Sequence, residues 1–216
     1  MEPKATLIAI TPDAEKTCAY VARVSSPNQT NPEFKKLLTY CLKHGHWSVF
    51  EHGYATLELE TSRAIARQLL RHRSFTFSEF SQRYEQVRDE PIKVQARRQD
   101  TKNRQNSVAD MPKETQDWFG MAQMRAYDAA MNTYREALRK GIAKECARAV
   151  LPEGMVQSRL YMTGSVRSWL HYLQTRLGNG TQLEHRLVAE AVRDVLRPVL
   201  PTVMQIAEET ILADKR

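Results

Sequence analysis

Residues 71–84 read RHRSFTFSEFSQRY. The stretch gathers Arg71, Arg73 and Arg83 with His72, Glu79 and the hydroxyls of Ser74, Thr76, Ser78 and Ser81. A hydrophobic core has no use for that set, because a charge is buried only with a partner. Arginine presents a planar fork that matches phosphates and carboxylates, hydroxyls complete an anion site, and Glu79 can pair with an arginine or accept from a base or ribose. The stretch therefore reads as a nucleotide pocket. Composition alone also allows a salt-bridged surface turn. A third reading makes Phe75, Phe77, Phe80 and Tyr84, interleaved with basic residues, a stacking platform for single-stranded nucleic acid.

Working upstream, Thr61 or Ser62 can cap a helix on which Ile65, Leu69 and His72 share a face and which delivers Arg71, His72 and Arg73 at its C-terminal end. On that helix Gln68 and Arg71 project from adjacent positions. Before it, Ala55, Leu57 and Leu59 alternate with Thr56, Glu58 and Glu60, a half-buried strand over 54–61. Pro32, the apolar spacing of Phe34, Leu37, Leu38 and Cys41, and Gly45 predict a helix with a glycine stop. Residues 5–10 predict a strand, and Pro12 and Asp13 open a helix to about residue 23.

Downstream, residues 85–114 are polar and read as a loop or lid. Met124, Tyr127, Met131, Tyr134 and Leu138 recur at helical spacing, a core-facing stripe that Gly141 can end. Helical patterns return around 143–150, 166–177 and 182–197, punctuated by Pro152, Gly178-Asn179-Gly180, Pro198 and Pro201.

The 216 residues suit one domain, and 42% apolar with 26% charged excludes disordered and fibrous classes. A net charge of +7 favours anionic partners without specifying chemistry. No apolar stretch approaches the roughly 20 residues of a membrane span. Cys18, Cys41 and Cys146 show no paired spacing and read as structural thiols in a reducing, cytoplasmic setting. His44, His46 and His52 lack a zinc frame, so no metal is expected.

The triplet Arg71-His72-Arg73 followed by Glu79, Ser81, Arg83 and Tyr84 resembles the signature of the flavin-dependent thymidylate synthases, the ThyX family. Further blocks are similar in the same order: Ala22-Arg23-Val24-Ser25, His44-Gly45-His46 with Phe50-Glu51-His52, Gln68, Ala147-Arg148-Ala149-Val150-Leu151-Pro152, and Arg167-Ser168-Trp169 through Arg176. Thr76 stands where the family commonly has serine, Ser78 where it has asparagine, and Gly180 through His185 replaces its histidine-alanine-glutamine run.

The resemblance implies an α+β fold, a largely antiparallel sheet packed with long helices in one domain over 1–216. It implies reductive methylation of dUMP to dTMP, with methylenetetrahydrofolate giving the carbon, FAD carrying the hydride and NADPH reducing FAD. Ser25, His46, Ser48, Arg71, His72, Arg73, Ser78, Glu79 and His171 would hold the cofactor. Gln68, Arg71, Glu79, Phe80, Ser81, Gln82, Arg83, Arg148 and Arg176 would hold the substrate, with Arg176 and Ser81 as the catalytic candidates. A serine hydroxyl is inert without an adjacent base, so phosphate binding is the preferred role for Ser81. The resemblance further implies a homotetramer with active sites between subunits, and neither nucleic acid nor membrane as partner.

Overall fold

A computed structural model of the chain describes residues 2–87, 90–210 and 212. Strand β1 (Lys4–Ile10) leads into helices α1 (Ala14–Ala22) and α2 (Lys35–Lys43), a 3-10 turn over Trp47–Glu51, strand β2 (Tyr54–Ser62) and helix α3 (Arg63–Leu69). Next come β3 (Thr76–Glu79), the short strands β4 (Arg98–Gln99) and β5 (Ser107–Val108), and the long helix α4 (Lys113–Arg139). The chain closes with α5 (Lys144–Ala147), a 3-10 turn over Arg148–Val150, β6 (Gln157–Ser165), α6 (Val166–Arg176), α7 (Leu183–Leu196) and α8 (Pro201–Thr210).

Four strands form one sheet in the order β1-β2-β6-β3. The hydroxyls of Thr56 and Thr163 meet at 2.9 Å, while the Arg63 N–H donates to the Val156 carbonyl at 2.9 Å, so β2 ascends as β6 descends. The Phe80 N–H likewise donates to Arg159 O at 2.8 Å, and Phe75 lies beside Gly164, which sets β3 antiparallel to β6. Helices with a largely antiparallel sheet are the expected class.

The chain divides into two compact units, the first mainly Glu60–Arg71 and Glu79–Leu160, the second Pro3–Leu59, His72–Ser78 and the chain from Tyr161. In the first, the stripe on α4 does what its spacing predicts: Tyr127, Met131 and Tyr134 are buried against Val87, Ala147, Leu151, Met155 and Val156, with Leu138 at the edge. Ile92 and Val94, within the polar stretch read as a loop or lid, are tied to this unit. Gln123 on α4 bonds both Val94 N and Val94 O at 2.9 Å, and the Ile92 N–H donates to Met155 O at 2.8 Å. Beyond these ties, β4 and β5 pair antiparallel, Arg98 opposite Val108.

The second unit buries Cys18, Leu38, Phe50, Leu57, Leu59, Trp169, Tyr172, Val188 and Val192. Trp169 is placed by its indole N–H, which donates to Ala55 O at 3.1 Å. Pro201, read from sequence as punctuation, instead begins α8, where its missing N–H is harmless. The buried Glu15 carboxylate accepts the Val203 N–H at 2.6 Å, satisfying a free donor of that first turn. No helix among the described residues is long and apolar enough to cross a membrane.

One expectation about the signature needs correction. Helix α3 starts where expected, the Ser62 hydroxyl accepting the Ile65 N–H at 3.3 Å, but it stops at Leu69. The Arg71 N–H reaches back only three residues, to Gln68 O at 3.4 Å, so the triplet occupies a turn beyond the helix. His72 therefore does not extend the Ile65 and Leu69 face.

A test of packing arises at Gly164 on β6. A Cβ there would fall inside the van der Waals envelope of the Phe75 ring, and Phe75 is itself backed by Trp169 at 4.7 Å between centroids. Gly164→Ala is expected to lower stability by about 1–3 kcal/mol in urea unfolding. An unchanged midpoint would show that Phe75 is free to move aside.

Candidate functional site

The first unit carries an open cavity of about 680 Å³ lined by Arg63, Arg67, Gln82, Glu145, Arg148, Ala149, Leu151, Glu153 and Val156. Helix α3 supplies Arg63 and Arg67, the turn after β3 supplies Gln82, and α5 with the 3-10 turn after it supplies Glu145 and Arg148. Most of its cations are already matched. Arg67 pairs with Glu153, and Arg63 reaches Glu79 at 3.4 Å and Glu153 at 4.0 Å. Arg83 pairs with Glu145 at 3.0 Å.

Arg148 differs. Among the described residues its guanidinium makes no hydrogen bond or ion pair, although the residue is half-buried. Gln82 is 4% exposed, and its Nε2 finds no partner among the described residues. A buried amide donor without an acceptor costs about 1–3 kcal/mol, so Gln82 is an unsatisfied polar group beside the cavity.

Around these two, Glu79 accepts the Ser158 hydroxyl at 2.7 Å as well as Arg63, which fixes its carboxylate. The Ser81 hydroxyl accepts the Arg83 N–H at 3.4 Å and no base is bonded to it among the described residues. Phe80 is half-buried beside Ser158 and Arg159, Gln68 is half-buried on α3, and Arg71 is exposed on the turn.

The second unit holds a separate polar cluster. Helix α6 is capped by Ser165, whose hydroxyl accepts the Ser168 N–H at 3.2 Å and donates to Glu51 at 2.6 Å. Arg167 donates to the other Glu51 oxygen at 2.8 Å. The Ser165 hydrogen bond and Arg167 hold the Glu51 carboxyl below its ordinary range. One turn on, His171 packs against Trp47 at 4.4 Å, and burial pushes its pKa down. Its Nε2 is buried and has no partner among the described residues.

At the end of α6, Arg176 Nε donates to His72 Nε2 at 3.0 Å. Burial, with Arg176 second, pushes His72 down to about 4. Behind them Tyr172 and the fully buried His185 complete an aromatic wall. Of the other expected residues in this unit, Ser25, His46, Ser48, Arg73 and Ser78 are all exposed, His46 with its ring 5.4 Å from Tyr40. Phe75, offered as a stacking surface, is only 8% exposed and belongs to the core.

A family profile described as "Thymidylate synthase complementing protein" matches residues 6–202. A flavin-dependent thymidylate synthase of Synechocystis sp. is 53% identical over 194 residues, covering 90% of this chain and 89% of that one. The chain belongs to the flavin-dependent thymidylate synthase family. Another member, from Thermus thermophilus, is 31% identical over 202 residues, covering 92% of this chain and 73% of that one. The crystal structure of a UMP/dUMP methylase, PolB from Streptomyces cacaoi, bound with 5-Br dUMP, superposes with a TM-score of 0.87 at 25% identity, covering 97% of this chain and 96% of that one.

Arg63, Arg67 and Glu153 on the cavity wall lie outside the sequence blocks read as functional, while Tyr172 and His185 lie within such stretches but were given no role. Arg63 and Arg67 did carry a signal, since two arginines four apart on a helix just before the signature point the same way.

Proposed function

We propose that this flavin-dependent thymidylate synthase family member converts dUMP to dTMP, with methylenetetrahydrofolate as carbon donor and NADPH as reductant of FAD. The observation that carries the reading is the pairing of an uncompensated Arg148 with the unpartnered Gln82 amide on one cavity wall. A nucleoside monophosphate brings an anion for the first and acceptor oxygens for the second. Arg83, released from Glu145 by a stronger anion, adds a second fork, and Ser81 beside it serves the phosphate. Glu79, fixed by Ser158 and Arg63, is placed to accept from a base or sugar.

The second unit suits the flavin. A neutral imidazole carries one donor and one acceptor, so the buried, unpartnered His171 Nε2 calls for a ligand with polar ring edges. His46, Ser48, Ser25, Arg73 and Ser78 offer exposed donors for the rest of the dinucleotide. When bound, the flavin supplies reversible hydride storage that no side chain has. The chain's own residues bind, orient and stabilise charge. Arg176 is the group assigned to developing negative charge on the pyrimidine. Activation by a cysteine thiolate has no candidate: no cysteine lines the cavity, Cys18 is buried with its thiol pushed up to about 11, and burial also raises Cys41.

This reading carries a homotetramer in which active sites form between subunits, and the exposed Trp118 and Met121 on α4 suit burial by another copy. A reducing cytoplasm suits three free thiols. The test is the visible spectrum of the protein with FAD, followed anaerobically after NADPH with and without dUMP. Bleaching that dUMP alters, then dTMP formation on adding methylenetetrahydrofolate, is the expected result. Folded protein that takes up no FAD would overturn the reading.

A further inference from the structure

Arg176 is held by a neutral acceptor rather than by a carboxylate, as Arg23 is by two backbone carbonyls. Arg167 is held by Glu51, and Arg197 by Asp194 and Glu208, each pair joining opposite charges. The Arg176 Nε–H donates instead to a ring nitrogen, His72 Nε2, at 3.0 Å. Among the described residues no carboxylate lies within ion-pair distance of it.

An imidazole nitrogen accepts only through its lone pair, so this geometry requires His72 to be neutral with its proton on Nδ1. A carboxylate in the same place would anchor the arginine equally well but would cancel its charge. A neutral acceptor fixes the plane of the guanidinium and leaves its charge and its terminal N–H groups for something else.

The ring of His72 is itself held on several sides. Tyr172 meets it at 5.1 Å and 76°, Phe75 at 6.4 Å and 88°, and His185 at 6.2 Å and 89°. Tyr172 and His185 are buried; Tyr172 lies one turn before Arg176 on α6, and His185 lies on α7, the next helix. Edge-to-face rings of this kind pack the His72 ring on several sides.

We propose that His72 is a positioning residue acting through Arg176: it aims the guanidinium while leaving its positive charge uncompensated for an anionic ligand, and His185 and Tyr172 wall it in place. The proposal rests on the reading of Arg176 as a substrate-facing group. It gives His72 a task distinct from the flavin contact that the resemblance implies.

The test compares His72→Leu, which keeps bulk without an acceptor, with His72→Gln, whose carboxamide oxygen can accept from Arg176. Calorimetry with dUMP should show about a 10- to 30-fold loss of affinity in His72→Leu, matching the roughly 1.5–2 kcal/mol of a charge-assisted hydrogen bond, and near wild-type affinity in His72→Gln. FAD uptake, followed by absorbance, should change by less than about threefold in either variant. A mere packing role would favour Leu over Gln, and a flavin contact would show as FAD loss with dUMP spared; either pattern overturns the proposal. In the ligand-free protein, ¹⁵N NMR should find a slowly exchanging Arg176 Nε–H coupled to His72 Nε2. That coupling is measurable even if His72→Leu does not fold, and its absence in the wild-type protein also overturns the proposal. If the wild-type protein shows the coupling but binds no dUMP, the functional reading fails and the clamp stands.

Discussion

Arg148→Ala is expected to weaken dUMP binding by about 100- to 1,000-fold, equivalent to about 3–4 kcal/mol, while the protein remains folded. Fold and ligand separate here because the Arg148 guanidinium makes no hydrogen bond or ion pair among the described residues, so truncating it strands no partner. Its neighbours are different. Arg83→Ala would leave Glu145 without its cation, and Arg67→Ala would remove one of the two cations around Glu153, so their effects mix binding with local electrostatics. Arg148→Lys keeps the charge but loses the fork, and is expected to recover only part of the affinity. Isothermal titration with dUMP, alongside urea unfolding of the same variants, decides it. An Arg148→Ala affinity within about threefold of wild type would remove Arg148 from the ligand site, and with it the observation on which the nucleotide reading stands.

The side chains that make this prediction possible were only partly visible in sequence. Helices read from spacing were found because their signals are local: the Tyr127, Met131 and Tyr134 stripe faces the core, and Gly141, at φ +79°, follows the end of α4. Strand β6 was not read, although Leu160 and Met162 are buried and alternate with Arg159, Tyr161 and Thr163. Its polar start and Gly164 blur that alternation, and Gly164 is there because Phe75 needs the space, a constraint from another segment. Helix α8 was missed because Pro201 ends a pattern when read forward but begins one when a distant carboxylate, Glu15, waits for its free N–H groups.

The candidate site divides the same way. Residue type and order picked out Arg83, Arg148, Arg176, His72 and Glu79 through their resemblance to a family signature. Which of those arginines is already neutralised, and by what, depends on Glu145, distant in sequence from the Arg83 it holds. Phe75 shows the opposite failure. Interleaving with arginines made it look like a stacking surface, yet Trp169 and Tyr172 cover it at 4.7 and 6.3 Å.

Acid is expected to destabilise the second unit well before its carboxylates alone would require, because the fully buried His185 and the half-buried His72 are both held neutral. Burial, then Arg176, pushes His185 down to about 3, and burial, then Arg176, pushes His72 down to about 4, against about 6.5 for either in an unfolded chain. Between those values the unfolded chain takes up protons that the folded one refuses. The stabilisation is therefore complete above about pH 6.5 and is lost progressively as pH falls toward the folded values. His185 is fully buried and contributes on the order of a few kcal/mol. The half-buried His72 contributes less, since solvent screens it. Glu51, whose carboxyl is held low chiefly by the Ser165 hydrogen bond, adds in the same direction at lower pH; the buried Glu15, raised by desolvation, opposes them weakly. A few kcal/mol is itself a large part of the roughly 5–15 kcal/mol that holds a typical domain. Urea midpoints measured from pH 7.5 to 4 should fall steeply below about 6.5, and His185→Phe, which keeps an aromatic ring but cannot take a proton, should flatten that fall. An equal fall in the variant would place the acid lability elsewhere. A flat profile in the wild-type protein would mean that water reaches these rings and that the wall behind Arg176 is open.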